Sequence, residues 1–271
     1  MNHSKLAFIG AGKMVSAIVH SLVRSNVFSK EKIICCSAKD GTSERLAKET
    51  GILRADNIGE MLVLQPDVLV LGCKPQQLVE LSKDDQVSKV SSLVLSIMAG
   101  TTLERLKESF PHAKNIIRSM PNTPGQIGAG ITGYIFSEKP ESGDSNLVRQ
   151  ILLSLGEACK VDSESDLDRI TAVSGSGPAY LFEFACALES AAKDIGMNED
   201  LANKFAMQTI IGSAELIKTS GLHPEELRNQ VTSPNGTTQA ALENFSTNNL
   251  RSIVSQAVEA ARKRSIELSY E

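Results

Sequence analysis

Two rhythms of apolar residues divide the chain. Up to Asp162, short apolar runs alternate with segments patterned at helical spacing; beyond it the short runs stop and only helical patterns remain. Leu6–Ile9 is the first run. It ends in Gly10-Ala11-Gly12, after which Met14, Ala17, Ile18 and Leu22 recur on one helical face. The alternation continues with a strand pattern over Lys32–Cys36, a polar helix over Ser43–Thr50 and a helix over Ile58–Leu64. Buried strands follow at Asp67–Leu71 and Leu93–Ile97, then a helix over Thr102–Ser109 capped by Thr101 or Thr102, and a strand over Lys114–Arg118. Gly130–Phe136 is a further strand, Ser145–Leu155 a helix, and a short strand falls near Lys160-Val161. This βαβ order predicts an α/β fold: a doubly wound, Rossmann-type parallel sheet over residues 1–163.

The remainder, residues 164–271, predicts an all-helical dimerisation and substrate domain. Ser174-Gly175-Ser176-Gly177-Pro178 has the form of a helix start, leading into Ala179–Ile195. That helix is apolar nearly all round, and Leu201–Ile217 is similar, with Phe205, Met207, Ile210, Ile211, Leu216 and Ile217. A helix without a polar face must be surrounded, and this short helical segment cannot surround two of them alone. A second copy of the chain is therefore the expected partner, in a homodimer or higher homo-oligomer. The last helix, Asn249–Leu268, is amphipathic and reads as a packing element.

Composition narrows the classes without changing this picture. The chain has 271 residues, 41% apolar and 22% charged, with a formal net charge of −4 and charges of both signs interspersed. No basic face for nucleic acid and no polybasic or apolar membrane anchor stands out. Met1-Asn2-His3-Ser4-Lys5 runs into the first strand without the apolar core of a signal peptide, so the expected location is cytoplasmic. Cys35, Cys36, Cys73, Cys159 and Cys186 form no C-x-x-C pair and read as small buried hydrophobes in a reducing compartment. His3, His20, His112 and His223 lack metal-ligand spacing, and no metal is expected.

The candidate chemistry lies at the carboxyl ends of the strands, where ligands sit in such sheets. Gly10, Ala11 and Gly12 allow a tight turn and close approach of backbone to a pyrophosphate, with Lys13 and Met14 opening a helix whose N-terminus points at the negative charge. The third glycine of the dinucleotide fingerprint is replaced by Val15. At the end of the second strand stands Ser37, with Lys39 two residues on. An acidic residue in that position would hold the ribose of NAD, whereas this pair favours the 2′-phosphate of NADP; Asp40 beside them, and the reading of Lys39 as a solvated loop lysine, keep both cofactors open. The other strand ends supply Cys73 and Lys74, then Met98, Ala99 and Gly100, then Pro121 and Asn122. Lys74 is read either as a cofactor contact or as a structural Lys-Pro strand end, and Asn57 either as a helix cap or as a ribose contact.

A second turn lies far along the chain, at Val231-Thr232-Ser233-Pro234-Asn235-Gly236-Thr237-Thr238. Pro234 stops one helix, Asn235-Gly236 is a tight-turn dipeptide, and Thr237 or Thr238 can cap the next helix, so backbone N–H groups converge as in an anion site.

Together, Gly10-Ala-Gly12-Lys-Met14, Lys74-Pro75-Gln76, Met120-Pro-Asn-Thr-Pro124, Ser174-Gly-Ser-Gly-Pro-Ala-Tyr180 and the stretch from Val231 to Thr238 resemble the pyrroline-5-carboxylate reductases in order and spacing, over essentially the whole chain. The resemblance implies an oxidoreductase that reduces 1-pyrroline-5-carboxylate to L-proline, the last step of proline biosynthesis, using NADPH, with NADH also accepted. It implies a substrate site at Val231, Ser233, Asn235, Gly236, Thr237 and Thr238, in which the Thr238 hydroxyl lies near the ring nitrogen and Ser233 assists. Val15 and Asn235 depart from the family pattern; asparagine is the residue best able to adopt the left-handed backbone that glycine supplies there. Two rivals stay open. One is an NADP-dependent reductase of another cyclic imine or of a 2-hydroxy acid, although the latter needs a base on the first long helix of the second domain, where Tyr180–Ala192 offers none. The other is a non-catalytic NADP-binding regulatory relative.

Overall fold

Strands whose every residue is apolar or small belong in the middle of a sheet covered on both faces, and β1 (Leu6–Ile9) is buried at all four positions. The computed structural model describes residues 3–270; Met1 and Asn2, which open the segment read above as lacking a signal peptide, lie outside the described residues. After β1 come α1 (Lys13–Arg24), β2 (Ile33–Cys36), α2 (Thr42–Thr50), β3 (Leu53–Arg54), α3 (Ile58–Leu62), β4 (Val68–Leu71), α4 (Leu78–Leu81), α5 (Asp85–Ser88), β5 (Leu93–Ser96) and α6 (Leu103–Ser109). Then follow β6 (Asn115–Met120), β7 (Gly130–Phe136), α7 (Ser142–Leu153) and β8 (Gly156–Lys160). The strands form one eight-stranded sheet in the order β3-β2-β1-β4-β5-β6-β7-β8.

Alternate residues of the central strands feed two separate cores. Leu6 and Phe8 pack with Val15, Ile18 and Leu22 of α1 on one face, while Ala7 and Ile9 pack with Met61, Leu69, Leu71 and Leu106 on the other. The sheet is not wholly parallel. β7 runs antiparallel to β6, because the connection Pro121–Ala129 holds only a single-turn 3-10 helix, too short for the crossover that a parallel neighbour needs. β8, reached through α7, is parallel to β7 again.

The chain divides into a first unit up to Ser176 together with its end from Ala261, and a second unit, Gly177–Ala260. The break between these compact units lies downstream of residues 163 and 164, where the domain boundary was expected, because α8 (Glu164–Ile170) is held to the sheet by the nearly buried Arg118 of β6: its guanidinium donates to Glu164 at 2.7 Å and lies 3.4 Å from Asp168. Asp168 also accepts from the Ser265 hydroxyl at 2.9 Å, which binds the end of the chain to the same unit.

The Ser-Gly-Ser-Gly-Pro segment is not a capped helix start. The chain is already helical from Glu164, and Thr171–Gly175 is one π-helical turn closed by the Ser176 N–H on the Thr171 carbonyl at 2.8 Å. The Thr171 and Ser174 hydroxyls donate back to the Leu167 and Ile170 carbonyls. Gly175 is needed for contact rather than for a turn: a Cβ there would come within 2.7 Å of the Met120 methyl.

The second unit consists of α9 (Gly177–Asp194), α10 (Glu199–Ser220), α11 (Pro224–Gln230), α12 (Thr237–Thr247) and the larger part of α13 (Leu250–Leu268). α9 and α10 lie against each other, joined by a short loop in which Asn198 caps α10 by accepting from the Leu201 N–H. Within the single chain they leave Leu181, Phe182, Phe184, Phe205, Ile211, Leu216 and Ile217 exposed. Cys159 and Cys186 are exposed too, against the expectation of buried cysteines; only Cys35 and Cys36 are fully buried. Among the described residues no helix is long and apolar enough to cross a membrane.

Candidate active site

The glycine turn after β1 is built as its sequence requires. Gly10 has φ +96°, and a Cβ on it would lie 2.7 Å from the Gly72 carbonyl oxygen. Gly10→Ala is accordingly expected to lower stability by at least about 2 kcal/mol and to weaken both dinucleotides, as thermal melts and cofactor titration would register. A Cβ on Gly12 would meet nothing within 4 Å, so open space lies in front of the turn. The missing third glycine is explained across the sheet: Val15 is buried, and its methyl occupies the place a side chain on Gly72 would need, 2.1 Å from that Cβ position. The small residue sits on the strand instead of the helix, and close packing survives.

α1 begins at Lys13 with Gly12 as a cap that has no side chain, and no acidic residue occupies its first turn. The first internal bond runs from the Ser16 N–H to the Gly12 carbonyl, which leaves the N–H groups of Lys13, Met14 and Val15 without acceptors among the described residues. Three aligned donors facing open space beside a glycine turn fit a pyrophosphate.

A cleft of about 730 Å³ opens there, along the ends of β1, β2 and β4. Of the expected cofactor residues it is lined by Gly10, Ala11, Gly12, Ser37, Asn57, Cys73 and Lys74; Lys39 lines a recess that also takes in Ser37 and Asn57. Asn57 caps α3, its side-chain oxygen accepting from the Glu60 N–H at 2.9 Å. The Lys74 N–H donates to the Gln77 side chain at 2.9 Å, so the turn fixes the backbone while the ammonium projects as an exposed group. Burial pushes the Cys73 thiol up to about 11, which keeps it neutral at ordinary pH; it touches Met98 at 3.6 Å between sulfurs. The Ser37 hydroxyl is committed within its own loop, accepting from the Ser43 N–H at 3.2 Å and lying 3.1 Å from the Thr42 hydroxyl.

Lys13, Met14, Met98, Ala99, Gly100, Pro121 and Asn122 do not line this cleft. Gly100, with φ +68°, abuts Leu268, and the Asn122 side chain accepts from the Ile131 N–H at 3.0 Å, which staples the start of β7. Arg54, Asp56 and Gln77 line the cleft or its recess and had no signal in the sequence: β3 is a two-residue edge strand without periodicity.

In the second unit the late turn takes the expected shape with different bonding. Asn235 is left-handed, φ 57°, so it does what glycine would do. The cap of α12 is Gly236, not Thr237 or Thr238, which are the first two helical residues. Two of the N–H groups expected to face an anion are already used: that of Asn235 donates to the Gln239 side chain at 2.8 Å and that of Gly236 to the Ser233 carbonyl at 3.0 Å. The N–H groups of Thr237, Thr238 and Gln239, and the hydroxyls of Ser233, Thr237 and Thr238, have no partner among the described residues. Val231 ends α11 as an exposed apolar side chain.

Comparison with known proteins joins the two units. A family model for pyrroline-5-carboxylate reductase dimerisation matches residues 164–268, and one for coenzyme F420-dependent NADP oxidoreductases matches residues 5–100. The pyrroline-5-carboxylate reductase of Pseudomonas aeruginosa is 34% identical over 99% of this chain and 98% of its own length. Among solved structures, a pyrroline-5-carboxylate reductase from Coxiella burnetii superposes with a TM-score of 0.89 at 33% identity over 99% of both chains. The Plasmodium falciparum pyrroline carboxylate reductase with NADP bound gives 0.84 at 30% identity, again over 99% of both. The chain belongs to the pyrroline-5-carboxylate reductase family.

Proposed function

We propose that this chain reduces 1-pyrroline-5-carboxylate to L-proline, with NADPH as reductant and NADH accepted as well. The observation that carries the reading is the start of α12, where three unpaired N–H groups and the Ser233 and Thr238 hydroxyls are presented together. The substrate is a small ring bearing one carboxylate and one C=N bond, and this turn offers a donor set for each. The carboxylate accepts from the N–H groups of Thr237 and Thr238, with Ser233 and the Gln239 N–H completing its shell. Each charge-assisted bond is worth on the order of 1.5–3 kcal/mol. The Thr238 hydroxyl orients the ring nitrogen.

The bound nicotinamide supplies the hydride. The chain's own part is to hold the pyrophosphate on the α1 N-terminus, to fix the imine and to exclude water. Residues 231–239 contain no His, Lys or carboxylic acid, so no side chain of this turn serves as proton donor, and in this reading the proton comes from solvent or from an imine already protonated. Orientation and electrostatics, rather than proton transfer by a side chain, lower the barrier. The enzyme acts as a homodimer in the cytoplasm.

The test is the loss of reduced-cofactor absorbance on mixing the protein with NADPH and pyrroline-5-carboxylate. Turnover requiring both is expected, and no turnover refutes the reading. Thr238→Ala should lower kcat/KM roughly ten- to a hundredfold, the cost of one hydrogen bond to the reacting ring. Unchanged kinetics would remove the role given to that hydroxyl.

A further inference from the structure

The recess at the far end of the nucleotide cleft contains charge that the glycine turn does not explain. It holds about 530 Å³ and is lined by Ser37, Ala38, Lys39, Arg54, Asp56 and Asn57. It lies where the end of β2 meets β3, since the register pairs Cys35 with Arg54. In a doubly wound sheet that is the place of the adenosine ribose and its 2′ substituent. Ser37 cannot be the main reader of that substituent, because its hydroxyl already serves the start of α2.

Arg54 has two acidic neighbours. Its Nη2 donates to Glu44 and its Nη1 to Asp56, both at 2.5 Å, and its Nε lies 3.4 Å from the Ser43 hydroxyl. Neither pair is buried. The Glu44 side chain, on α2, is 49% exposed and that of Asp56 74%; an ion pair so open to water is weak and easily exchanged, the Asp56 pair most readily. Lys39, which lines the same recess, has no ion-pair partner among the described residues.

We infer that Arg54 is the specificity residue for the 2′-phosphate: its guanidinium exchanges the exposed Asp56 carboxylate for the phosphate while its bond to Glu44 remains, and Lys39, which lines the same recess, adds a second positive charge. The inference rests on the cofactor reading given above and identifies the chemistry behind it. A guanidinium fork matches two phosphate oxygens, which a lone lysine cannot do. Without Arg54 the cleft and its recess set two carboxylates, Asp40 and Asp56, against the single ammonium of Lys39, so removing it leaves a lining that repels an incoming dianion. A free ribose hydroxyl has no such demand.

The test is titration of the intact homodimer with NADPH and with NADH, followed by nicotinamide fluorescence. Arg54→Leu should weaken NADPH binding on the order of 10- to 100-fold while NADH stays within about twofold, and Arg54→Lys should fall between. Adenosine 2′-monophosphate should displace NADPH from the wild type and lose that ability in parallel. Asp56→Asn should tighten NADPH, because the competing carboxylate is gone. Retained NADH affinity in Arg54→Leu shows that the cleft is folded. Equal loss of both cofactors, no change in either, or weaker NADPH binding by Asp56→Asn overturns the inference. A wild-type protein that binds neither dinucleotide sinks the cofactor reading itself, and Arg54 with it.

Discussion

Thr237→Pro is expected to lower kcat/KM for pyrroline-5-carboxylate by about 100-fold, mostly through KM, because it deletes one of the main-chain donors proposed for the substrate carboxylate. Proline is the one residue that can make this deletion cleanly. Thr237 is the first residue of α12, a position whose N–H has no helical acceptor and where proline is favoured. Gly236 before it lies at φ −87° and ψ 170°, the extended conformation that a residue preceding proline adopts anyway. The helix should therefore start as before. The far-ultraviolet spectrum and NADPH affinity should match the wild type while substrate affinity collapses. If Thr237→Pro binds and turns over pyrroline-5-carboxylate normally, the N–H groups of this turn do not hold the carboxylate.

The second large effect concerns assembly. Phe205 of α10 is 58% exposed in the single chain, beside a helix whose Leu181, Phe182 and Phe184 are also uncovered. Monomeric proteins rarely leave so many large apolar side chains facing water, and the dimerisation family model covers this region. If the partner covers these side chains, Phe205→Glu places a carboxylate in the interface twice per dimer. Losing a buried phenylalanine alone costs about 3–5 kcal/mol per site, so the dimer dissociation constant should rise at least a thousandfold. Light scattering coupled to gel filtration should report monomer or aggregate in place of dimer, with reductase activity lost in step. A fully active Phe205→Glu dimer would place the partner elsewhere on the chain.

What was legible in the sequence follows from how local each signal is. The buried runs Leu6–Ile9, Val68–Leu71 and Leu93–Ser96 are readable because strands covered on both faces must be apolar throughout. The role of Asn235 was readable because few side chains tolerate a left-handed backbone. The antiparallel placement of β7 was not, since its direction is set by the length and curl of the connection rather than by its own pattern. Nor was the accommodation of Val15, which depends on Gly72, distant in sequence and adjacent only after β1 and β4 pair. The N–H groups of Asn235 and Gly236 were assigned to substrate because nothing local announces that Gln239 and the Ser233 carbonyl consume them. Arg54 was missed for a related reason: it matters only once β3 brings it beside the end of β2.

In the proposed mechanism, main-chain N–H groups at the start of α12 grip a small carboxylate. The most direct measurement is a crystal structure of the homodimer grown with oxidised cofactor and L-proline. The expected result is density for proline with its carboxylate within hydrogen-bonding distance of the Thr237 and Thr238 N–H groups and its ring nitrogen beside the Thr238 hydroxyl. Proline bound at full occupancy with its carboxylate on any other set of donors would contradict it.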